Sequence, residues 1–163
     1  MTRKPAALGR RANRGVAAAV SDPISPLEAH LGYWLRVASN HVDQQLARAL
    51  GAHGVTPAEW VVMRALYDAG PVAPSVLAGR IGLTRGAVTK LVDRLRAKAL
   101  VVRAHGPGDR RYQIIALTGA GAKLVPALAQ LVDESDSAAF GAIPAETRAT
   151  IEAALRRIVA PAD

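Results

Sequence analysis

The run IGLTRGAVTKLVDRLRAKALVVR, residues 81–103, decides the fold. After Thr84, which is suited to cap a helix, apolar residues recur at helical spacing as far as about Ala97. A shorter helix is predicted just before it, from about Pro74 to Ile81, and Gly82-Leu83 supplies a tight turn between the two. Two helices joined by so short a turn form a helix-turn-helix.

Two short strand-like runs follow, at Leu100–Arg103 and Tyr112–Leu117. The residues between them, 104–111, are rich in Gly, Pro and Asp, so they predict a loop. A helix-turn-helix followed by a β-hairpin is the order of elements in a winged helix-turn-helix. The predicted fold class is therefore mostly α with a small β-hairpin.

Longer helices are predicted on both sides of this module. Ser25-Pro26-Leu27-Glu28 has a capping-box pattern and starts a long helix that ends near Gly51. Thr56-Pro57-Ala58-Glu59 repeats the pattern at the start of the next helix, and Thr118 and Pro144 each start a C-terminal one. The first helix and the last two have continuous apolar faces, more than so small a module needs for its own core. They therefore predict a helical dimer interface.

The N-terminal segment is expected to be a disordered basic tail. Five basic residues and no acid occur among residues 1–20. Arg10-Arg11 ahead of Val16–Val20 is faintly similar to an export signal, but such a signal needs an apolar piece of about 7–15 residues. The predicted parts are the tail at 1–24, a dimerisation helix at 25–55 that packs with 118–160, the winged helix-turn-helix at 56–117, and the C-terminal dimerisation helices at 118–160.

Positive charge is concentrated in the helix-turn-helix and the hairpin. The chain has a formal net charge of +8, and Arg80–Arg111 alone holds nine basic and two acidic residues, a net +7. Residues 1–20 add +5, which leaves the rest of the chain at −4. Charge gathered in one module points to a polyanionic partner, and with this fold to double-stranded DNA.

Composition and motifs argue against several other classes of protein. The chain has no Cys, which excludes disulfides and cysteine-type zinc sites, and no apolar run reaches the roughly 18 residues that span a bilayer. It lacks a Gly-rich phosphate loop, a Gly-x-Ser-x-Gly elbow and a paired-His motif. We therefore expect a cytoplasmic protein with no catalytic site, cofactor or membrane partner. An enzyme whose site is scattered along the chain remains the alternative.

The helix after Thr84 has two distinct faces. At about 100° per residue its apolar residues fall on one side, with polar and basic residues on the other. A recognition helix needs this division, because one face packs on the module while the other enters the major groove. Its N-terminal residues usually contact base edges, so we expect Arg85, Thr89 and Lys90 to read sequence. Gly86 would let the backbone approach the duplex closely.

Asp93 is the acid on that face, and near phosphates it needs a partner such as Lys90, Arg96 or an arginine of the hairpin. The hairpin loop supplies Arg110-Arg111, and an arginine at such a tip can enter a narrow minor groove. Asp109 is expected to orient one of them. The predicted DNA contacts are Thr84, Arg85, Gly86, Thr89, Lys90, Arg94, Arg103, Arg110 and Arg111. The alternatives are an ordinary solvated helix and a plain hairpin.

These residues also carry a resemblance to a known family. The matching segments are Val76–Ala78, Ile81–Thr84, Ala87–Leu95, Lys98–Val101, Asp109–Arg111 and Leu117–Gly121. The most specific is the Asp-x-Arg of the loop, followed six residues later by Leu-Thr and then by a Gly. Over about Leu27 to Leu155, the chain resembles the MarR family of bacterial regulators.

The resemblance implies a homodimer that intertwines its N- and C-terminal helices, each subunit offering one winged module to half of a pseudo-palindromic operator. It places the minor-groove arginine at Arg111, with Asp109 bracing the wing. It also implies a ligand-responsive regulator, usually a repressor, that a small phenolic or anionic molecule releases from DNA. Ala99 departs from the family, which usually has Gly there. That position commonly takes a left-handed conformation, which costs a non-Gly residue roughly 1 kcal/mol.

An effector pocket would lie between the dimer helices and the winged module. Side chains of the first two helices could line it: His30, Trp34, His41, Trp60, Met63 and Tyr67. Core and interface packing is the alternative role for these residues. Metal sensing through His residues distant in sequence also stays open, as does a winged adaptor that binds protein instead of DNA. The segment of charge +7 argues against the adaptor.

Overall fold

The structure, a computed structural model, describes residues 24–106 and 109–160, and for residues 105, 106 and 109–112 it describes the backbone alone. The predicted basic tail lies outside these residues except for Ile24. The elements are α1 (Leu31–Gly51), α2 (Pro57–Ala69), α3 (Pro74–Arg80), α4 (Arg85–Ala97), β1 (Val101–Gly106), β2 (Asp109–Leu117), α5 (Gly119–Phe140) and α6 (Ala145–Val159). The predicted mostly α fold with one β-hairpin is confirmed.

Helices α3 and α4 form the predicted helix-turn-helix. The turn between them has Gly82 at φ +66°, a left-handed conformation that glycine adopts without steric cost. The amide of Leu83 then donates to the carbonyl oxygen of Ala78 at 3.1 Å and closes the turn. The apolar face of α4 is buried in one core cluster with Leu77 of α3. That face consists of Val88, Leu91, Val92 and Leu95.

The hairpin is tied at its base to the same core. Strands β1 and β2 pair antiparallel, with Val101 opposite Leu117. Val72, just before α3, forms two further backbone hydrogen bonds with Ile115 of β2, at 2.8 and 3.0 Å. The side chain of Ile115 is buried in the core cluster. The hairpin therefore extends from the helix-turn-helix as a wing.

The strands are longer than the sequence predicts. Strand β1 continues to Gly106 and β2 already begins at Asp109, so most of the expected loop 104–111 is strand. Gly106 pairs with Asp109, with a register irregularity between His105 and Gly106. Cross-strand pairing prevails over the weak strand preference of Gly and Asp, because strand propensity depends strongly on context.

The predicted start of the first helix at Ser25 is wrong. Leu27–Ala29 form a short 3₁₀ turn without a side-chain cap, and His30 is extended, so α1 begins only after it. The indole Nε1 of Trp34 donates to the carbonyl oxygen of Glu28 at 2.9 Å. A continuous helix would offer that carbonyl to a backbone amide four residues further on.

Three other predicted helix starts are confirmed by their hydrogen bonds. The hydroxyls of Thr56, Thr84 and Thr118 each accept from the backbone amide three residues further on, at 3.3, 3.2 and 2.9 Å. The carboxylate of Glu59 returns the contact by accepting from the Thr56 amide at 2.9 Å, which completes a capping box.

Ala99 closes α4 in the left-handed conformation expected there, with φ +56°. The amide of Leu100 donates to the carbonyl oxygen of Leu95 at 3.0 Å, and the amide of Ala99 donates to the carbonyl oxygen of Arg96 at 2.9 Å. These are the two hydrogen bonds of a Schellman motif. The hydroxyl of Thr118 donates to the Ala99 carbonyl at 2.8 Å and joins this turn to the start of α5.

We expect Ala99→Gly to raise the free energy of unfolding by up to about 1 kcal/mol, since glycine takes this conformation without steric cost. The greater freedom of glycine in the unfolded chain offsets part of the gain. Ala97→Gly, at the exposed last residue of α4, is the matched control and should lose about 0.5–1 kcal/mol. Urea unfolding measures both. An Ala99→Gly variant no more stable than Ala97→Gly would contradict the expectation.

Candidate nucleic-acid interface

The predicted DNA-facing residues of α4 lie together on its exposed side. Thr84, Arg85, Gly86, Thr89, Lys90 and Arg94 are all exposed. The opposite side of the helix is buried, with Val88 and Val92 at 0% exposure. The sequence therefore identified the solvent face of α4 correctly. The contacts of these residues with DNA stay a prediction.

The two threonines on this face are held differently. The hydroxyl oxygen of Thr84 caps the helix by accepting from the Ala87 amide at 3.2 Å. The Thr89 hydroxyl donates to the carbonyl oxygen of Arg85 at 3.0 Å. A hydroxyl oxygen has two lone pairs, so Thr89 can still accept a hydrogen bond from a base edge.

Asp93 joins α4 to the wing. Its Oδ1 accepts from Nη2 of Arg103, on β1, at 3.0 Å and lies 3.4 Å from Nη1 of Arg96. The expected pairing of Asp93 with Arg96 and with a hairpin arginine is confirmed. The side chain of Arg103 is only 27% exposed. Arg103 thus holds the wing against α4 besides adding charge to the predicted interface.

Glu59 is a feature whose full role the sequence did not reveal. Its capping-box contact was expected, but its side chain is completely buried and also meets two basic residues of the α4 region. Oε2 accepts from Nζ of Lys98 at 2.7 Å, and Oε1 lies 3.4 Å from Nε of Arg94. Lys98 Nζ also donates to the carbonyl of Gly54 at 2.6 Å. A lone Glu in a capping box gives no signal of such partners 35 or more residues away.

The surroundings of Glu59 favour its ionised form. Burial alone would raise the pKa of this carboxyl, but the hydrogen bonds from Lys98 and Thr56 and the charge of Lys98 outweigh it. The pKa of Glu59 is therefore lowered from its ordinary value. At neutral pH the group is a buried carboxylate facing two cations.

The wing residues Asp109, Arg110 and Arg111 lie on β2, where the structure describes only the backbone. Their predicted roles fall outside the described side chains and stay predictions.

The residues predicted for an effector pocket differ in burial. Trp60 and Met63 of α2 belong to the core cluster. His41 and Tyr67 are exposed, and the ring of His41 is within hydrogen-bond distance of Gln45. In the N-terminal segment up to residue 35, His30 and Trp34 are exposed. Trp60 and Met63 thus have the core-packing role named as the alternative, and an effector pocket stays a prediction.

Two further features concern the described part of the chain. None of its helices has the length and apolar character that a bilayer crossing requires. Among residues 24–106 and 109–160, no three His, Asp or Glu side chains cluster closely enough to hold a metal ion.

Comparison with known proteins identifies the family. Residues 53–111, which include α2 to β1, match the model of the MarR family. YsmB of Bacillus subtilis strain 168, an uncharacterized HTH-type transcriptional regulator, is 30% identical over 102 residues, covering 61% of this chain and 70% of YsmB. This chain also matches other HTH-type regulators and repressors, of which it spans only between 52% and 66% of the length.

Solved structures show the same architecture. A mutant of MarR from Escherichia coli in complex with operator DNA is 27% identical, with a TM-score of 0.75 over 80% of this chain and 94% of that one. CouR from Rhodococcus jostii RHA1, bound to p-coumaroyl-CoA, is also 27% identical, with a TM-score of 0.75 over 86% of this chain and 99% of CouR. Sequence and structure agree: the chain belongs to the MarR family of transcription regulators.

Proposed function

We propose that this protein binds a pseudo-palindromic DNA operator as a homodimer and represses transcription until a small effector binds. The observation that carries the proposal is the surface of α4, on which Arg85, Thr89, Lys90 and Arg94 are all exposed opposite a fully buried apolar face. A basic, half-buried helix beside a wing fits the major groove while the wing reaches the backbone or minor groove. The similarity to a MarR structure in complex with operator DNA supports it.

The exposed apolar residues of the terminal helices support the dimer. Helix α6 has no buried residue. Four of its apolar residues lie on one side of the helix and are 38 to 79% exposed: Ile151, Leu155, Ile158 and Val159. In α1 only Leu50 is buried. Helices as apolar as these need a partner to cover them. We propose that 25–55 and 118–160 form the dimer interface and 56–117 the DNA-binding domain.

A small effector, phenolic or anionic, is part of the proposal. It is supported by the similarity to CouR, whose structure holds p-coumaroyl-CoA. We place the effector among the residues predicted to line a pocket. We also propose that the protein acts by binding and not by catalysis, in the cytoplasm, where its operator lies.

A salt series tests DNA binding. The duplex is the DNA upstream of the protein's own gene, and the affinity should fall steeply with salt, since each neutralised phosphate adds about 0.9 to the slope. Arg111→Ala should weaken binding and reduce the slope by about 1, while Lys90→Ala should also relax sequence preference. Lys123→Ala, an exposed lysine of α5, is the control and should bind like the parent. A flat salt response would refute the proposed function.

A further inference from the structure

The two oxygens of the buried Glu59 carboxylate have different partners. Oε2 accepts hydrogen bonds from the Thr56 amide at 2.9 Å and from Lys98 Nζ at 2.7 Å. Those contacts join the start of α2 to the end of α4. Among the described side chains, Oε1 accepts no hydrogen bond, and the nearest cation is Arg94, whose Nε lies 3.4 Å away. Oε1 is thus the oxygen that pairs with Arg94, a residue of the proposed interface.

The two basic residues around Glu59 are not equivalent. The Nζ of Lys98 already has two oxygen partners, since it also donates to the Gly54 carbonyl at 2.6 Å. Arg94 instead forms an ion pair, with Nε 3.4 Å from Oε1 and no hydrogen bond between them, and its side chain is 57% exposed. The planar guanidinium fork can bind a carboxylate with one edge and a phosphate with another.

We propose that Glu59 is a positioning residue for DNA binding, whose charge holds the guanidinium of Arg94 in an ion pair so that its outer nitrogens meet a phosphate of the duplex. The inference rests on the proposed function. Free arginine side chains lose rotamer entropy when they bind, and a guanidinium already restricted by an ion pair has less to lose. A buried acid beside a DNA-binding surface thereby strengthens binding, although its charge has the same sign as the phosphates.

Glu59→Gln separates the two tasks of the carboxylate. Glutamine serves as well as glutamate at this position of a capping box, so its carbonyl oxygen can keep the Thr56 and Lys98 contacts. The NH2 group of the glutamine then takes the place of Oε1 beside Arg94, so a neutral donor replaces the charged acceptor there. Helix content and thermal unfolding show whether the variant keeps the parent fold.

The test is a double-mutant cycle on affinity for the same upstream duplex. Arg94→Ala should weaken binding about tenfold in the parent but only about twofold in the Glu59→Gln background, since the anchoring is already lost. Arg96→Ala is the matched control, because Arg96 pairs with Asp93 on the same helix. Arg96→Ala should change the affinity for DNA by the same factor in the parent and in the Glu59→Gln background.

Arg94→Lys provides a second variant that leaves Glu59 untouched. Lysine keeps the charge but has no fork to join a carboxylate and a phosphate, so we expect it to lose most of the contribution of Arg94. Equal effects of Arg94→Ala in both backgrounds, or parent-like binding by Arg94→Lys, would overturn the inference and leave the proposed function standing. A parent that does not bind the duplex in a salt-dependent way would overturn both.

Discussion

Gly121→Ala is expected to destabilise the folded chain by about 3 kcal/mol, because overpacking against a fixed backbone is costly. Gly121 lies in the first turn of α5, and a Cβ there would overlap the carbonyl oxygen of Leu100. That oxygen accepts a hydrogen bond from the Thr118 amide at 3.0 Å. Neither the Leu100 carbonyl nor the backbone at Gly121 can shift easily, since both belong to the junction of the end of α4, the base of the wing and the start of α5.

Gly119→Ala is the matched control for this prediction. Gly119 lies in the same helical turn, but nothing lies within 4 Å of the position its Cβ would take. Alanine is favoured over glycine in a helix, so this variant should be unchanged or more stable by up to about 1 kcal/mol. Thermal and urea unfolding of the two variants measure the difference. If Gly121→Ala proved as stable as Gly119→Ala, the described packing of Gly121 on Leu100 would be wrong.

Leu155→Glu is expected to separate the proposed dimer into monomers and to weaken operator binding by at least about 100-fold. Leu155 lies on the apolar side of α6 and is 38% exposed in the single chain. In a dimer interface an unpaired carboxylate would be buried without compensation, which costs several kcal/mol. A monomer also loses the gain from binding two half-sites at once.

Ala153→Glu adds the same charge to the same helix about 160° away from Leu155, and it should leave both dimer and DNA binding intact. Light scattering at micromolar concentration gives the mass, and far-UV circular dichroism shows that each variant keeps its helices. A Leu155→Glu variant that stays dimeric would contradict the proposed interface. Equal effects of both variants would show that charge on α6, and not the apolar face, is responsible.

The sequence by itself determined the features that depend on residues close together in the chain. The starts of α2, α4 and α5 were predicted correctly because a threonine cap needs only the amide three residues further on. The two faces of α4 followed from its 3.6-residue period, which placed Val88 and Val92 in the core. The left-handed turn at Ala99 was expected from the resemblance to the family, and the Schellman hydrogen bonds are equally local.

Only the tertiary structure decided the contacts between distant segments. Cross-strand pairing extends β1 and β2 into the expected loop. Glu59 meets Lys98 across 39 positions of sequence, a contact that its capping box does not require. Capping and periodicity are properties of a few neighbouring residues. The position of a buried carboxylate beside two cations depends instead on how α2 and α4 pack, because packing sets the distance between their side chains.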